Sequence, residues 1–156
     1  MIEAARPASN DDLPRIAALA RAAIAELQAT KGGDVWARRE ARQEPIDASL
    51  AADLANADAT VLAGTIDDAV IGYAVAVVEK LADGSELARL TDVYVEPDAR
   101  GVGVGEALLD TVVAWATERG CTGIDSLALP GNRETKNFFE SFGLVARAIV
   151  VHRPLP

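Results

Sequence analysis

A glycine-rich turn, Arg100-Gly101-Val102-Gly103-Val104-Gly105, is the part of the sequence best suited to binding phosphate. It follows a predicted strand over residues 86–95 and leads into a predicted helix over residues 104–119. Glycine lets the backbone approach an anion closely, and the free N–H groups at the start of a helix point towards it. The sequence therefore predicts a phosphate-binding turn, with a purely structural glycine turn as the alternative.

Two common nucleotide-binding motifs do not fit this turn. The Walker A motif needs a lysine directly after its last glycine, and no lysine follows these glycines. The dinucleotide fingerprint G-x-G-x-x-G needs a third glycine where this sequence has Glu106 or Leu108, depending on the register. A nucleotide-binding protein is therefore disfavoured.

The hydrophobic periodicity predicts six strands and five helices that could position this turn. The strands cover residues 2–6, 60–66, 70–79, 86–95, 123–129 and 145–153, and the helices cover residues 12–28, 35–44, 47–55, 104–119 and 133–142. The tight turns Asp67-Asp68 and Asp83-Gly84 indicate antiparallel neighbours. We expect a mixed α/β (α+β) sheet in one domain over residues 1–156, because no linker divides the chain.

Four segments and the order of elements resemble the GNAT family of N-acetyltransferases. Arg100-x-x-Gly103-x-Gly105 matches the family signature Arg/Gln-x-x-Gly-x-Gly/Ala, and Val93-Tyr94-Val95-Glu96-Pro97 resembles the family's fourth strand and its exit. Residues 132–139 match Asn-x-x-Ala-x-x-Phe-Tyr in part, and residues 140–144 resemble the usual helix end. The resemblance implies a mostly antiparallel sheet with a splayed central strand pair, flanked by helices.

The same resemblance implies that the cofactor is acetyl-CoA or another acyl-CoA. The splay between residues 86–95 and 123–129 would admit the pantetheine arm. The residues implied in binding are Val93, Tyr94 and Val95 along the arm, Arg100, Gly101, Val102, Gly103, Val104, Gly105 and Glu106 at the pyrophosphate, and Asn132, Thr135, Phe138 and Phe139 from the next helix.

The implied reaction is direct transfer of an acetyl group to a primary amine of a small molecule or a protein. A backbone amide near residues 93–95 would stabilise the charge that develops on the thioester oxygen. Many family members protonate the departing thiolate with a tyrosine, but this chain has Phe139 at that position. Tyr94 or Ser141 could substitute, and a thiolate of pKa about 8.5 can also leave without full protonation.

The amine must lose a proton to a base or to a water chain before it attacks. Asp92 and Glu79 are the candidate bases, since each lies on a strand beside the expected cleft. The alternative for each carboxylate is a solvated strand residue. The lone residues Cys121 and His152 are interpreted as structural.

The charged stretch from residue 31 to residue 44 is the candidate substrate-binding region, with Trp36 and Arg38 as its named residues. It could be a mobile lid over the acceptor, or a helix with one aromatic residue packed inward. Its arginines could also contact the CoA 3′-phosphate or an acidic group of the substrate.

Composition narrows the classes of partner. The 156 residues include 15 Lys and Arg against 24 Asp and Glu, for a net charge of −9. This charge favours a cationic substrate such as an amine and argues against nucleic acid. The longest apolar run, residues 69–78, is about half a membrane span, so we expect no membrane association and a cytoplasmic location. One cysteine and one histidine predict no metal site.

Two functions from different classes remain open at this point. The first is the N-acetyltransferase, and the second is a non-catalytic acyl-CoA-binding sensor or interaction module of the same fold, which Phe139 favours. The acceptor, the acyl chain length and a homodimeric state are left open.

Overall fold

The computed structural model describes residues 1–156 and contains a five-stranded mixed sheet with helices on both faces, which confirms the predicted fold class. Short 3₁₀ segments, Asn10–Asp12 and Pro97–Ala99, precede α1 and the glycine-rich turn. The main elements are β1 (Glu3–Pro7), α1 (Leu13–Gln28), α2 (Gly33–Arg39), α3 (Ile46–Ala55), β2 (Ala59–Ile66), β3 (Ala69–Lys80), β4 (Glu86–Val95), α4 (Val104–Arg119), β5 (Ile124–Ser126) and α5 (Arg133–Ser141).

The strands follow one another across the sheet in the order of the sequence, and all but the last pair are antiparallel. Asp67 and Asp68, at φ 47° and 70°, form the tight turn between β2 and β3. Helix α4 connects β4 to β5, which run parallel, as a crossover connection allows. The mostly antiparallel sheet is therefore as predicted.

Each face of the sheet has its own hydrophobic core. On the α1 face, Ile16 and Leu50 pack against Tyr73 and Val75 of β3. On the α4 face, Leu108 and its neighbours pack against alternate residues of the same strands. A Cβ added to Gly64 of β2 would lie 2.7 Å from Val104, so this glycine lets the first turn of α4 sit directly on the sheet. The start of α4, and with it the glycine-rich turn, is thereby fixed relative to the strands.

The strand predicted over residues 145–153 is wrong for this structure. Residues 144–156 form neither helix nor strand, and the strand predicted over residues 123–129 is shortened to β5. A strand needs a neighbour for its N–H and C=O groups, and this segment does not run along the edge of β5. The β4–β5 pair therefore lies at the edge of the sheet, whereas we predicted the splayed pair at its centre.

None of the helices is both long enough and apolar enough to span a lipid bilayer.

Candidate functional site

The glycine-rich turn presents a row of unused hydrogen-bond donors. Gly101 and Gly103 adopt φ values of 85° and 99°, which other residues rarely adopt. None of the six consecutive backbone N–H groups from Gly101 to Glu106 donates to an acceptor within the protein. Because these groups lie at the positive end of the α4 dipole, the turn is built to bind an anion.

The edge of β4 opens directly next to this turn. Strand β5 pairs with β4 only from Ala88 to Leu90, while β4 continues to Val95. The Glu96 N–H donates to the Ile71 carbonyl of β3. Because the backbone groups of successive residues in a strand point to alternate sides, those of Val93 and Val95 point to the open edge. Residues 91–95 therefore offer backbone groups to an extended ligand, as β-strand addition requires.

The start of α5 closes the far side of this opening. Asn132 caps α5 by accepting a hydrogen bond from the Thr135 N–H at 3.2 Å, which leaves the Asn132 amide nitrogen free to donate. The Phe138 ring packs on the glycine-rich turn, where a Cβ on Gly105 would lie 3.2 Å from it. Phe138 thus packs beside the turn, and Asn132 and Thr135 lie at the start of the same helix.

Phe139 has a different environment from Phe138. Its side chain is only 6% exposed and belongs to the core on the α4 face, together with Leu108 and Leu62. The ring is therefore part of the hydrophobic core and offers little surface to a ligand.

Arg100 is turned away from the glycine-rich turn towards α1. Its guanidinium donates to both carboxylate oxygens of Glu26 at 3.0 and 2.9 Å and to the Val95 carbonyl at 2.9 Å. The same guanidinium lies over the Tyr94 ring, 5.3 Å from its centroid. The hydrogen bonds from Arg100 lower the pKa of Glu26, while burial and the Glu26 carboxylate raise the pKa of Tyr94. Tyr94 is therefore held protonated at neutral pH beside the open end of β4.

Asp92 is enclosed in a buried polar network on the α1 face. It accepts two hydrogen bonds from Arg42 at 3.1 and 2.8 Å, and one each from the Tyr73 and Thr91 hydroxyls at 2.8 Å. Arg42 also donates to Asp53 at 2.8 Å, and its side chain is only 7% exposed. Burial and the charge of Asp92 raise the pKa of Tyr73 well above its usual value. Every strong acceptor position of Asp92 is therefore occupied.

Thr91 marks the point where the two strands separate. It is the extra residue of a β-bulge in the β3–β4 ladder, directly after the last residue that pairs with β5. A bulge re-aims the backbone groups that follow it. The exposed Thr91 side chain and its hydrogen bond to Asp92 connect the buried network with the open edge.

The structure does not bring the other candidates into this site. Glu79 is exposed and pairs with Leu87 of β4, in the closed part of the sheet. This pair is separated from the glycine-rich turn by the whole length of the β4–β5 pairing. Arg38 is exposed and pairs with Asp34 of its own helix at 3.2 Å, while Trp36 is half-buried. Cys121 follows the C-terminal end of α4, about 24 Å from the glycine-rich turn at 1.5 Å per residue.

The turn between α1 and α2 nevertheless reaches the opening. A Cβ on Gly32 would lie 3.4 Å from Pro130, and a Cβ on Gly131 would lie 3.2 Å from the Lys31 backbone. The turn over residues 30–33 thus touches the loop between β5 and α5. Part of the region predicted to bind substrate therefore borders the site, although Arg38 does not point into it.

Sequence reasoning missed Glu26 and the bulge at Thr91, and it considered Arg42 only as one of the arginines in the charged stretch from residue 31 to residue 44. Glu26 lies 74 residues from Arg100, and Arg42 lies 50 residues from Asp92. Pairs so distant leave no local periodicity. Only the arrangement of the folded chain shows them.

Taken together, the site contains a binding turn for a phosphate group, an open strand edge for an extended arm and a protonated tyrosine beside that edge. This combination suits a long ligand with an anionic end and a reactive end. The reactive end would lie near the bulge, where β4 and β5 separate.

The model of the acetyltransferase (GNAT) family matches residues 21–144. A tetramutant of the BH1408 protein from Bacillus halodurans is similar, with 19% identity over 99% of this chain and 100% of that chain and a TM-score of 0.84. AAC(6')-Iy in complex with the bisubstrate analog CoA-S-monomethyl-acetylneamine has 19% identity over 100% and 99% of the two chains and a TM-score of 0.77. The ribosomal-protein-alanine N-acetyltransferase from Brucella melitensis biovar Abortus 2308 has 18% identity over 99% and 100%, with a TM-score of 0.71.

No curated protein matches the sequence significantly. The solved structures share less than a fifth of their residues with this chain, so they establish its fold alone. The family model, by contrast, covers more than half of the sequence and includes the glycine-rich turn, the open strand edge and α5. The chain belongs to the GNAT family of acetyltransferases.

Proposed function

We propose that this protein is an acetyl-CoA-dependent N-acetyltransferase that transfers the acetyl group directly to a primary amine, as one domain over residues 1–156. The observation that carries the proposal is the row of six free N–H groups next to the open edge of β4. The row of N–H groups suits a pyrophosphate, and the open edge of β4 suits a pantetheine arm. Acetyl-CoA, as co-substrate, supplies an activated acetyl thioester.

The binding residues follow from this arrangement. The amides from Gly101 to Glu106 would hold the pyrophosphate, since they have no acceptor in the protein. The backbone of Val93 and Val95 would pair with the pantetheine amides. Phe138 would pack beside the arm, and the free amide nitrogen of Asn132 would donate to it. The Arg100 side chain would not bind the phosphates directly, because its guanidinium is already paired with the Glu26 carboxylate.

The chemistry needs a donor for the thioester oxygen and an acid for the leaving thiolate. The Val93 N–H at the open edge is the donor, since it follows the bulge and lacks a neighbouring strand. Tyr94 is the acid in this proposal, because burial and Glu26 keep its hydroxyl protonated. Phe139 takes no part in this step, because its ring lies in the core.

Neither Asp92 nor Glu79 is well placed to remove the proton from the amine. The charge of Asp92 is neutralised by Arg42, and Glu79 lies in the closed part of the sheet. We therefore assign Asp92 to positioning Thr91 and the bulge, and the amine loses its proton to water. An α-amine, with a pKa of about 7.7–8.0, does so readily at neutral pH, whereas a lysine amine at about 10.4 does not.

The acceptor would reach the thioester from the α1 face, past the turn over residues 30–33. The net charge of −9 favours a cationic amine. Two of the similar structures support an amine acceptor: one is a ribosomal-protein-alanine N-acetyltransferase, and the other binds a CoA bisubstrate analog. Both a small molecule and a protein terminus satisfy these conditions.

A non-catalytic acyl-CoA sensor is the second candidate function. The neutralised carboxylates of Asp92 and Glu26 favour it, since neither is a free base. The sensor and the enzyme would bind acetyl-CoA through the same turn and strand edge. Only a measurement of acetyl transfer distinguishes the enzyme from the sensor.

Acetyl-CoA is expected to protect the fold against heat. A ligand that binds only the native state stabilises it by about 2.7 kcal/mol at a hundredfold excess over Kd, which raises Tm by about 5–10 °C for a chain of this size. The measurement is a melting curve with and without acetyl-CoA, with sodium acetate as the control. An unchanged Tm at millimolar acetyl-CoA would argue against both the enzyme and the sensor.

A further inference from the structure

Thr91 places an exposed hydroxyl at the point where β4 and β5 separate. It is the extra residue of the bulge and directly follows Leu90, the last residue of β4 that pairs with β5. Bulges often lie beside active sites, where they aim a side chain into the site. The Thr91 hydroxyl is therefore a polar group at the reactive end of the opening.

The neighbours of this hydroxyl fix the direction of its hydrogen bonds. The Thr91 oxygen lies 2.8 Å from a carboxylate oxygen of Asp92 and 3.3 Å from the Val75 carbonyl oxygen. An ionised carboxylate and a carbonyl can only accept, so the single hydroxyl proton points towards them, with the shorter bond to Asp92. Because this proton is already used, the Thr91 oxygen can only accept a further hydrogen bond. A ligand at this position must supply the donor.

The buried network keeps Asp92 as the acceptor of this bond. Arg42 donates two hydrogen bonds to Asp92, at 3.1 and 2.8 Å, and the Tyr73 hydroxyl donates one at 2.8 Å. Arginine cannot accept a hydrogen bond, and burial beside Asp92 raises the pKa of Tyr73, so its hydroxyl keeps its proton. The Asp92 carboxylate thus stays ionised and gives no proton back to Thr91.

The charge of the network favours a positively charged donor. The carboxylates of Asp92 and Asp53 surround one guanidinium, that of Arg42, so a negative charge remains in excess. Hydrogen bonds in a chain polarise one another. Thr91 is the exposed end of this chain, so its oxygen attracts a nitrogen that is positive or becomes positive during a reaction.

We propose that the Thr91 hydroxyl oxygen accepts a hydrogen bond from the nitrogen of the acceptor amine and thereby selects primary over secondary amines. This inference rests on the proposed function and deepens it. Val93, whose N–H is the donor for the thioester oxygen, lies two residues further along β4, or about 7 Å at 3.3 Å per residue. The attacking nitrogen and the thioester carbonyl would bridge this span, with one hydrogen bond at each end.

The balance of protons explains the selection. A primary amine has two N–H groups when its lone pair attacks: Thr91 holds one, and the other gives its proton to water. As the C–N bond forms, the C–S bond breaks, and the thiolate takes the proton of Tyr94, which water then restores. A secondary amine has a single N–H group. If Thr91 holds that group, no N–H proton is free to leave to water.

Thr91→Val and Thr91→Ser separate the hydroxyl from the shape of the side chain. Valine keeps the branched shape without the hydroxyl, and serine keeps the hydroxyl. Acetyl transfer is measured with a primary amine and with its N-methyl derivative. Thr91→Val should lower kcat/KM about tenfold or more for the primary amine, as for a lost hydrogen bond to a charged group, but less than about threefold for the secondary amine. Thr91→Ser should stay within about threefold of wild type for both.

Calorimetry adds two readouts that need no turnover. In Thr91→Val the Kd of acetyl-CoA should stay within about twofold of wild type, while the Kd of the primary amine for the protein saturated with CoA should rise about fivefold or more. Thr122→Val is the matched control. Thr122 is also exposed and donates to a β4 carbonyl, that of Glu86 at 3.2 Å, but at the opposite end of the β4–β5 pair, so this variant should behave as wild type.

The outcomes distinguish this inference from the proposed function. Turnover by the wild type with an unaffected Thr91→Val variant would overturn the inference and leave the proposed function standing. Equal losses for the two amines would also overturn it, and so would a Thr91→Ser variant as slow as Thr91→Val, because the effect would then come from the shape of the bulge. A wild type that acetylates no amine would overturn both.

Discussion

Replacing Gly103 by Asp is expected to weaken acetyl-CoA binding at least about a hundredfold, or about 2.7 kcal/mol. Gly103 has φ 99°, which lies outside the left-handed range that Asp tolerates. A Cβ at this position would lie 3.1 Å from Cγ of Glu3, so the Glu3 side chain must give way by a few tenths of an ångström. The new carboxylate also adds negative charge beside the proposed pyrophosphate site.

Gly84→Asp is the matched control for this variant. Gly84 has a similar φ of 87°, but it lies in the β3–β4 hairpin with open space around it. Both variants carry the cost of a positive φ, about 1–2 kcal/mol of stability, yet only Gly103→Asp should lose binding. The Kd of both proteins is measured by calorimetry. A Kd for Gly103→Asp within threefold of wild type would show that the turn does not bind the phosphates.

Arg42→Met should lower the free energy of unfolding by about 3–5 kcal/mol. Arg42 is the only cation between Asp92 and Asp53, whose side chains are 10% and 23% exposed. Removing the guanidinium leaves two carboxylates partly buried, close together and unpaired. It also removes the hydrogen bond to Ser49 at 2.7 Å, which ties the start of α3 to this network.

Urea unfolding of two further variants tests the cause of this loss. Arg21→Met removes an arginine that also binds a carboxylate through two hydrogen bonds, but both Arg21 and Glu44 are exposed, so the loss should be much smaller than for Arg42→Met. Adding Asp53→Asn and Asp92→Asn to Arg42→Met should recover about 2 kcal/mol or more, because no unpaired charge then remains. Equal losses for Arg42→Met and Arg21→Met would mean that burial of the network has no energetic role.

Local signals in the sequence were enough to locate most of the fold. The helix over residues 104–119 and the strand over residues 86–95 have the predicted bounds, since each has its own periodicity and a glycine or proline at its end. The glycine-rich turn could be predicted for the same reason. The strand over residues 145–153 could not be judged in this way, because a strand exists only where a neighbour accepts its hydrogen bonds.

The site could be predicted only in part. The backbone groups that bind phosphate depend on glycines that are adjacent in sequence. The partners of the charged side chains depend on contacts between distant elements, as in Glu26 with Arg100 and Arg42 with Asp92. A carboxylate on a strand therefore looks like a base until its cation is known. Phe139 likewise lies at a motif position, although its ring contributes to the core.

The most direct test of the account is one reaction in which the protein, acetyl-CoA and a panel of primary amines are followed together. Free CoA thiol is measured by absorbance, and the acetylated amine is measured by mass spectrometry. The account predicts that thiol and acetylated amine form in equal amounts for at least one amine, and that Gly103→Asp abolishes both. Tight binding of acetyl-CoA with no acetylated amine across small-molecule amines and peptides with free N-termini would contradict it and favour the sensor.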